Sequence, residues 1–66
     1  MTPLGLSRTQ SAEYIGIGST KFDELVNNGT MPRPRLIGRR KLWDRREIEE
    51  AFENLPVDGV NEWDGV

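Results

Sequence analysis

Apolar residues in the first half of the chain recur at helical spacing, in two groups separated by glycines. The groups are Ala12 and Ile15, three residues apart, and Phe22, Leu25 and Val26, at positions i, i+3 and i+4. Such spacing places each group on one face of a helix. The pattern predicts a first helix over 8–15 and a second over 19–28.

Polar and glycine residues mark the ends of these two helices. Ser7-Arg-Thr-Gln10 has the form of a capping box, with Leu6 placed to pack against the helix entry. Gly16 supplies a residue able to adopt the left-handed conformation that ends many helices, and Asn28-Gly29 does the same for the second. Only about three residues then separate the two helices.

The pattern changes after residue 31. Pro32 and Pro34 exclude helix, and two short extended segments, 35–37 and 41–43, flank Gly38-Arg39-Arg40. A small two-stranded hairpin fits this pattern.

A third helix is predicted from Asp44 to about residue 53. Asp44 is a suitable N-cap, with Glu47 at the reciprocal position of a capping box. Ile48, Ala51 and Phe52 follow on one face. Trp43, next to the cap, is expected in the core beside Ile37 and Phe52, while Tyr14 fits either core or surface.

Residues 54–66 carry no periodic apolar pattern and contain Pro56, two glycines and three acidic residues. We expect this segment to be a disordered acidic tail, in which Trp63 either marks a docking motif or belongs to a dispensable extension. The domain prediction is therefore a folded unit over 1–53 and a tail over 54–66. The fold class is α+β, mainly α.

Charge is strongly segregated along the chain. The formal net charge is −2, but residues 1–32 carry −1, residues 33–46 carry +6 and residues 47–66 carry −7. A polyanion meets a local surface and not the sum, so the basic segment predicts contact with nucleic acid. The alternative is a solvent-exposed loop whose arginines only keep the protein soluble.

The composition weighs against catalysis. At 66 residues the chain has room for one modest core, and it contains no cysteine or histidine. We therefore expect no catalytic residues, no metal site and no cofactor, and conclude that the protein is not an enzyme. No apolar run approaches the ~20 residues of a membrane helix, and no signal peptide is recognisable. A cytoplasmic protein is expected.

Ala12, Gly16, Ile17, Phe22 and Leu25 together resemble a DNA-binding helix-turn-helix. The small residue allows the helices to approach, the glycine turns the chain, and the apolar anchors leave the first turn of the second helix facing outward. The outward residues are Ser19, Thr20, Lys21 and Glu24. Exposed helix glutamates are usually only solvated, so Glu24 is not chosen as a contact.

With the hairpin and third helix added, residues 6–53 closely resemble the excisionase and AlpA-type family, whose winged helix-turn-helix is similar to the MerR DNA-binding domain. The resemblance is carried by the order of Gly16-Ile17, Gly29, Pro32-Arg-Pro34 and Trp43. Two features differ from the usual pattern of that family. Gly18 and Ser19 stand where relatives often have a serine before the recognition helix and an arginine just inside it, and the helix also contains Asp23 and Glu24. Lys41 occupies a position that is often apolar in relatives.

The resemblance implies a recognition helix in the major groove and a wing against the minor groove or backbone. The predicted DNA-binding residues are Ser19, Thr20, Lys21, Arg33, Arg35, Arg39, Arg40 and Lys41. Arg39 and Arg40, at the hairpin tip, are the candidates for the minor groove, and the other basic hairpin residues for phosphates. Arg45 and Arg46 are weaker candidates because Glu49 or Glu50 can pair with them.

The leading functional hypothesis is a bacterial or phage-encoded, nucleoid-associated excisionase, also called a recombination directionality factor. It would bind and bend double-stranded DNA at tandem sites, self-associate there, and direct an integrase of the tyrosine or serine recombinase class toward excision of a mobile element such as a prophage. The same residues serve an AlpA-type transcription regulator equally well. A further alternative is an antitoxin-like protein-interaction module.

Overall fold

A computed structural model describes residues 2–58, which form three helices and a three-stranded antiparallel sheet in a mixed, mainly helical fold. The elements in chain order are β1 (Gly5–Leu6), α1 (Arg8–Tyr14), α2 (Ser19–Asn27), β2 (Arg35–Ile37), β3 (Arg40–Asp44) and α3 (Arg45–Glu53). The three predicted helices and the hairpin are confirmed to within a residue or two.

The signals at both ends of α1 operate as predicted. The Ser7 hydroxyl accepts from the backbone N–H of Gln10 at 3.2 Å, and the Gln10 side chain accepts from the N–H of Ser7 at 2.9 Å. At the other end, Ile17 N–H donates to Ala12 at 2.9 Å while Gly16 has a φ of +82°. This arrangement is a Schellman motif, and it brings the chain directly into α2.

The sheet contains a strand that the sequence pattern did not predict. Its order is β1-β3-β2, and Leu6 of β1 lies opposite Trp43 of β3. Leu6 is buried, as its predicted place at the helix entry requires. Two residues are too few to produce an alternating pattern, so β1 exists only because β3 offers it a paired edge.

The core lies where α1, α2, α3 and β3 meet. Its buried members are Ala12, Phe22, Met31, Trp43 and Ile48. The Phe22 and Trp43 rings meet edge to face, with centroids 5.1 Å apart, a favourable aromatic geometry. Trp43 Nε1 also donates to the Pro32 carbonyl at 2.8 Å, which ties β3 to the segment that leaves α2.

Trp43 is therefore a core residue, as predicted, but the prediction that Ile37 and Phe52 pack beside it is wrong. Ile37 and Phe52 are 66% and 50% exposed. Ile37 lies opposite Arg40 at the far end of the hairpin, beyond the helices. Helix α3 packs inward through Ile48, with Ala51 partly buried, and this leaves Phe52 facing outward.

Asp44 is the predicted N-cap of α3. Its carboxylate accepts from the Arg46 N–H at 2.8 Å, and hydrogen bonds from the Arg46 side chain lower its pKa from 3.8 to about 2. The predicted reciprocal bond, from the Asp44 N–H to the Glu47 side chain, is not formed, and the Glu47 carboxylate accepts from Arg35 at 2.6 Å. Asp44 is also the last residue of β3, paired with Gly5.

Helix α3 ends at Glu53, as predicted, but packing continues beyond it. Leu55 is partly buried against the core, two residues past the predicted domain boundary. Residues 59–66, which hold Trp63 and most of the predicted disordered tail, lie outside the described residues. Among residues 2–58, no helix has the length and apolarity required to cross a membrane.

Candidate nucleic-acid interface

The first turn of α2 is open to solvent. Thr20 and Lys21 are exposed and Ser19 is half-buried, because Phe22 is the residue of this turn that enters the core. Lys21 Nζ lies 3.1 Å from the Glu24 carboxylate, an exposed pair in which solvent screens both charges. The three predicted residues of α2 are thus available on one turn, with Glu24 beside them.

The hairpin formed by β2 and β3 projects its turn into solvent. Ile37 and Arg40 close a two-residue turn in which Gly38 has a φ of +59° and Arg39 a negative φ. This combination matches the type II′ turns that hairpins favour. Arg39 and Arg40 are exposed, so the end of the hairpin presents two arginine side chains to solvent.

Strand register decides which side of the hairpin each charge occupies. Directly opposite residues share a face, so Lys41 lies with Leu36, and Arg40 lies with Ile37. Trp43, two residues beyond Lys41, is on the same face as Lys41. Lys41 therefore lies on the face that continues into the core, although it is itself exposed.

A groove of 610 Å³ separates α2 from this face of the hairpin. Its polar and charged lining residues are Arg8, Asp23, Asn27, Arg33 and Lys41, and its apolar ones are Val26, Pro34, Leu36 and Trp43. We call it the cationic groove. It brings together two predicted residues, Arg33 and Lys41, and adds Arg8, which the sequence reasoning missed.

Arg8 belongs to α1 but is joined to α2 by a two-point ion pair with Asp23. Its Nε lies 2.8 Å from Oδ1 and its Nη2 lies 2.7 Å from Oδ2. The hydrogen bond and charge of each partner raise the pKa of Arg8 and lower the pKa of Asp23. No local pattern links residues fifteen positions apart in different helices, so only the crossing of α1 and α2 reveals this pair.

The remaining basic residues divide into paired and unpaired groups. Within residues 2–58, Arg33, Arg39, Arg40 and Lys41 form no ion pair, whereas Arg35 lies 2.6 Å from Glu47 on α3. Arg35 shares its hairpin face with Leu42 and not with Lys41. Its charge is thus directed toward α3 and away from the cationic groove.

The weaker candidates at the start of α3 are also engaged. Arg45 lies 3.8 Å from Glu49, as predicted, and donates to the Thr2 carbonyl at 2.8 Å. Arg46 pairs at 3.0 Å with Asp44, and not with the predicted Glu49 or Glu50. These contacts stabilise the start of α3 and leave both side chains less available for a ligand.

A second groove, of 450 Å³, lies between the ends of α1 and α3. Tyr14 and Phe52, 39% and 50% exposed, form its apolar surface, and the Tyr14 hydroxyl donates to Glu49, a bond that raises the pKa of the phenol. Glu13, Glu49 and Glu53 surround the two rings. We call this the acidic groove.

The chain was compared with protein-family models, with curated proteins and with solved structures. No family model matches it. Neither a curated protein nor a solved structure matches it. Within the described part of the chain, no group of three or more acidic side chains is arranged to hold a metal ion. The interpretation of the site therefore depends on its own geometry.

Proposed function

We propose that the protein is a winged helix-turn-helix DNA-binding protein in which α2 is the recognition helix and the β2–β3 hairpin is the wing. The observation that carries this proposal is the cationic groove, which α2 and the hairpin border together. None of the five predicted residues on the first turn of α2 and at the hairpin tip lines the groove, although they belong to the same helix and hairpin. A duplex needs such a surface, with side chains for base edges beside cations for phosphates.

The structure also supports different roles for the two elements, with base contacts from α2 and minor-groove contacts from the hairpin. Ser19, Thr20 and Lys21 lie on the first turn of α2, from which recognition helices contact base edges. Arg39 lies in a two-residue turn and Arg40 begins β3 directly after it, a narrow shape that fits a minor groove. Arg35 is a weaker candidate because Glu47 already neutralises it.

A gel-shift titration on DNA flanking the gene, with excess unrelated DNA and two salt concentrations, tests DNA binding. Arg39→Ala is expected to weaken binding on every sequence and to reduce the salt slope by about 1, whereas Thr20→Ala should mainly relax sequence preference. Arg35→Ala is the matched control, with a smaller loss. No shift by the unchanged protein at low salt would overturn the proposal.

The biological role we propose is that of an excisionase, on the resemblance of residues 6–53 to that family. A domain this small makes few base contacts, so occupancy would need several copies side by side on tandem sites. A ladder of discrete complexes and integrase-dependent excision in a reconstituted reaction are the expected results. A promoter response without any effect on recombination would instead assign the role of an AlpA-type regulator.

The acidic groove favours a protein contact as a second activity. Two exposed aromatic rings surrounded by three glutamates fit a basic segment with an apolar side chain. We propose the integrase, the partner expected of an excisionase, as the source of that segment. Phe52→Ala combined with Glu53→Gln should abolish a supershift by integrase while DNA binding by the protein alone is retained. A retained supershift would exclude this groove, and a loss of the discrete ladder would assign it to a neighbouring copy.

A further inference from the structure

The cationic groove draws its positive charges from three separate parts of the chain. Arg8 comes from α1, Arg33 from the segment after α2 and Lys41 from β3, while Asp23 of α2 is the one acidic residue that lines it among residues 2–58. The lining therefore has a net charge of +2. Like charges on different elements repel, so their convergence indicates a surface suited to an anion.

The position of Arg8 leaves much of its guanidinium unused. Of its five N–H donors, the ion pair with Asp23 engages one on Nε and one on Nη2. The side chain is 50% exposed. Asp23 thus holds the planar group by its Nε/Nη2 edge, and the Nη1/Nη2 end, with three N–H donors, remains available for a second anion.

The apolar part of the groove narrows the choice of anion. Leu36 is 68% exposed, and it lies beside Lys41, with Val26 and Trp43 also lining the groove. A free phosphate ion would leave these surfaces in water. A sugar–phosphate backbone places a deoxyribose next to each phosphate and so covers apolar and cationic surfaces together.

We propose that the cationic groove binds one stretch of the DNA sugar–phosphate backbone, with Arg8 as a phosphate ligand and Asp23 as the residue that positions it. This inference rests on the proposed DNA-binding function and extends it. It assigns a contact to α1, which the family resemblance did not supply, and it gives an acidic residue of the recognition helix a favourable role in binding an anion.

A comparison of Asp23→Asn with Glu24→Gln distinguishes a role of Asp23 in orienting Arg8 from the general effect of removing a negative charge near DNA. Each removes one negative charge from α2, so electrostatics alone predicts that both strengthen DNA binding. Under the proposal, Glu24→Gln leaves affinity unchanged or higher, whereas Asp23→Asn lowers specific affinity about 5- to 20-fold because Arg8 loses its fixed orientation. Equal strengthening by the two variants would overturn the inference.

Arg8→Ala provides a second readout that a purely structural role would not affect. It should lower affinity, reduce the salt slope by about 1 and remove any further effect of Asp23→Asn in the double variant. Ethylation interference should reveal a phosphate whose modification weakens the unchanged protein but not Arg8→Ala. An identical interference pattern for both proteins would contradict the assignment, and circular dichroism melts verify that each variant is folded.

Two sources of phosphate are distinguished by Leu36→Ala. Under the proposal this substitution lowers DNA affinity and leaves the binding of inorganic phosphate, measured by NMR chemical shifts, unchanged. If DNA affinity is unaffected while phosphate still binds, the groove is a site for a free anion and the inference fails. If the unchanged protein binds no DNA at all, the proposed function itself fails, an outcome distinct from either result.

Discussion

Phe22 and Phe52 provide a matched test of the core, because both are phenylalanines on amphipathic helices and only one is buried. Phe22 has no exposed surface and contacts the Trp43 ring edge to face, whereas Phe52 is 50% exposed. Periodicity alone assigned both residues to the core. The structure predicts that replacing each with alanine has very different consequences for the free energy of unfolding.

The magnitudes follow from burial. Phe22→Ala removes a fully buried ring and is expected to cost about 3–5 kcal/mol. Phe52→Ala removes a ring that is only half removed from water, which is about 1 kcal/mol at most. At about 0.05–0.15 kcal/mol per residue, a 66-residue chain has a total stability of roughly 3–10 kcal/mol. Phe22→Ala should therefore remove about 30% of that stability or more, and at the lower end of the range it should unfold the protein.

Urea denaturation followed by far-UV circular dichroism measures both variants. With an m-value of about 1 kcal/mol/M, the midpoint should fall by about 1 M or less for Phe52→Ala. For Phe22→Ala it should fall by about 3 M or more, or the folded baseline should be lost. A similar cost for the two substitutions, or a cost below about 1 kcal/mol for Phe22→Ala, would refute the assignment of these side chains.

Three further predictions concern the cap of α3, the turn after α1 and the tryptophan hydrogen bond. The pKa of Asp44 is lowered from 3.8 to about 2 in the folded protein, so the Asp44 carboxylate stabilises the fold above pH 3.8 and this contribution is lost as the pH falls toward about 2. Between these pH values the urea midpoint should therefore decrease less steeply for Asp44→Asn than for the unchanged protein. Gly16→Ala places a side chain at a φ of +82° and should lower stability by about 1 kcal/mol in thermal denaturation, while an unchanged melting temperature would contradict the Schellman geometry. Trp43→Phe removes the bond to the Pro32 carbonyl and part of the ring, and should cost about 1–3 kcal/mol in urea titration; a neutral result would contradict that contact.

The sequence by itself determined the features that depend on near neighbours in the chain. The spacing of Ala12 and Ile15 predicted one helix, and that of Phe22, Leu25 and Val26 a second. Ser7 and Gly16 predicted where the first helix begins and ends, because helix faces and caps involve residues only three to five apart. The hairpin followed from prolines and a glycine for the same reason. Segregated charge marked the hairpin as basic without any knowledge of its shape.

Tertiary structure decided which of those residues act together. Strand β1, the contact of Phe22 with Trp43 and the pairing of Arg8 with Asp23 each join residues far apart in sequence, and no local pattern encodes them. Register also decided that Lys41 lines the cationic groove while Arg35 is directed to α3. A shift of one residue in strand pairing moves every side chain to the other face, so the side on which a charge lies is known only once the strands are paired.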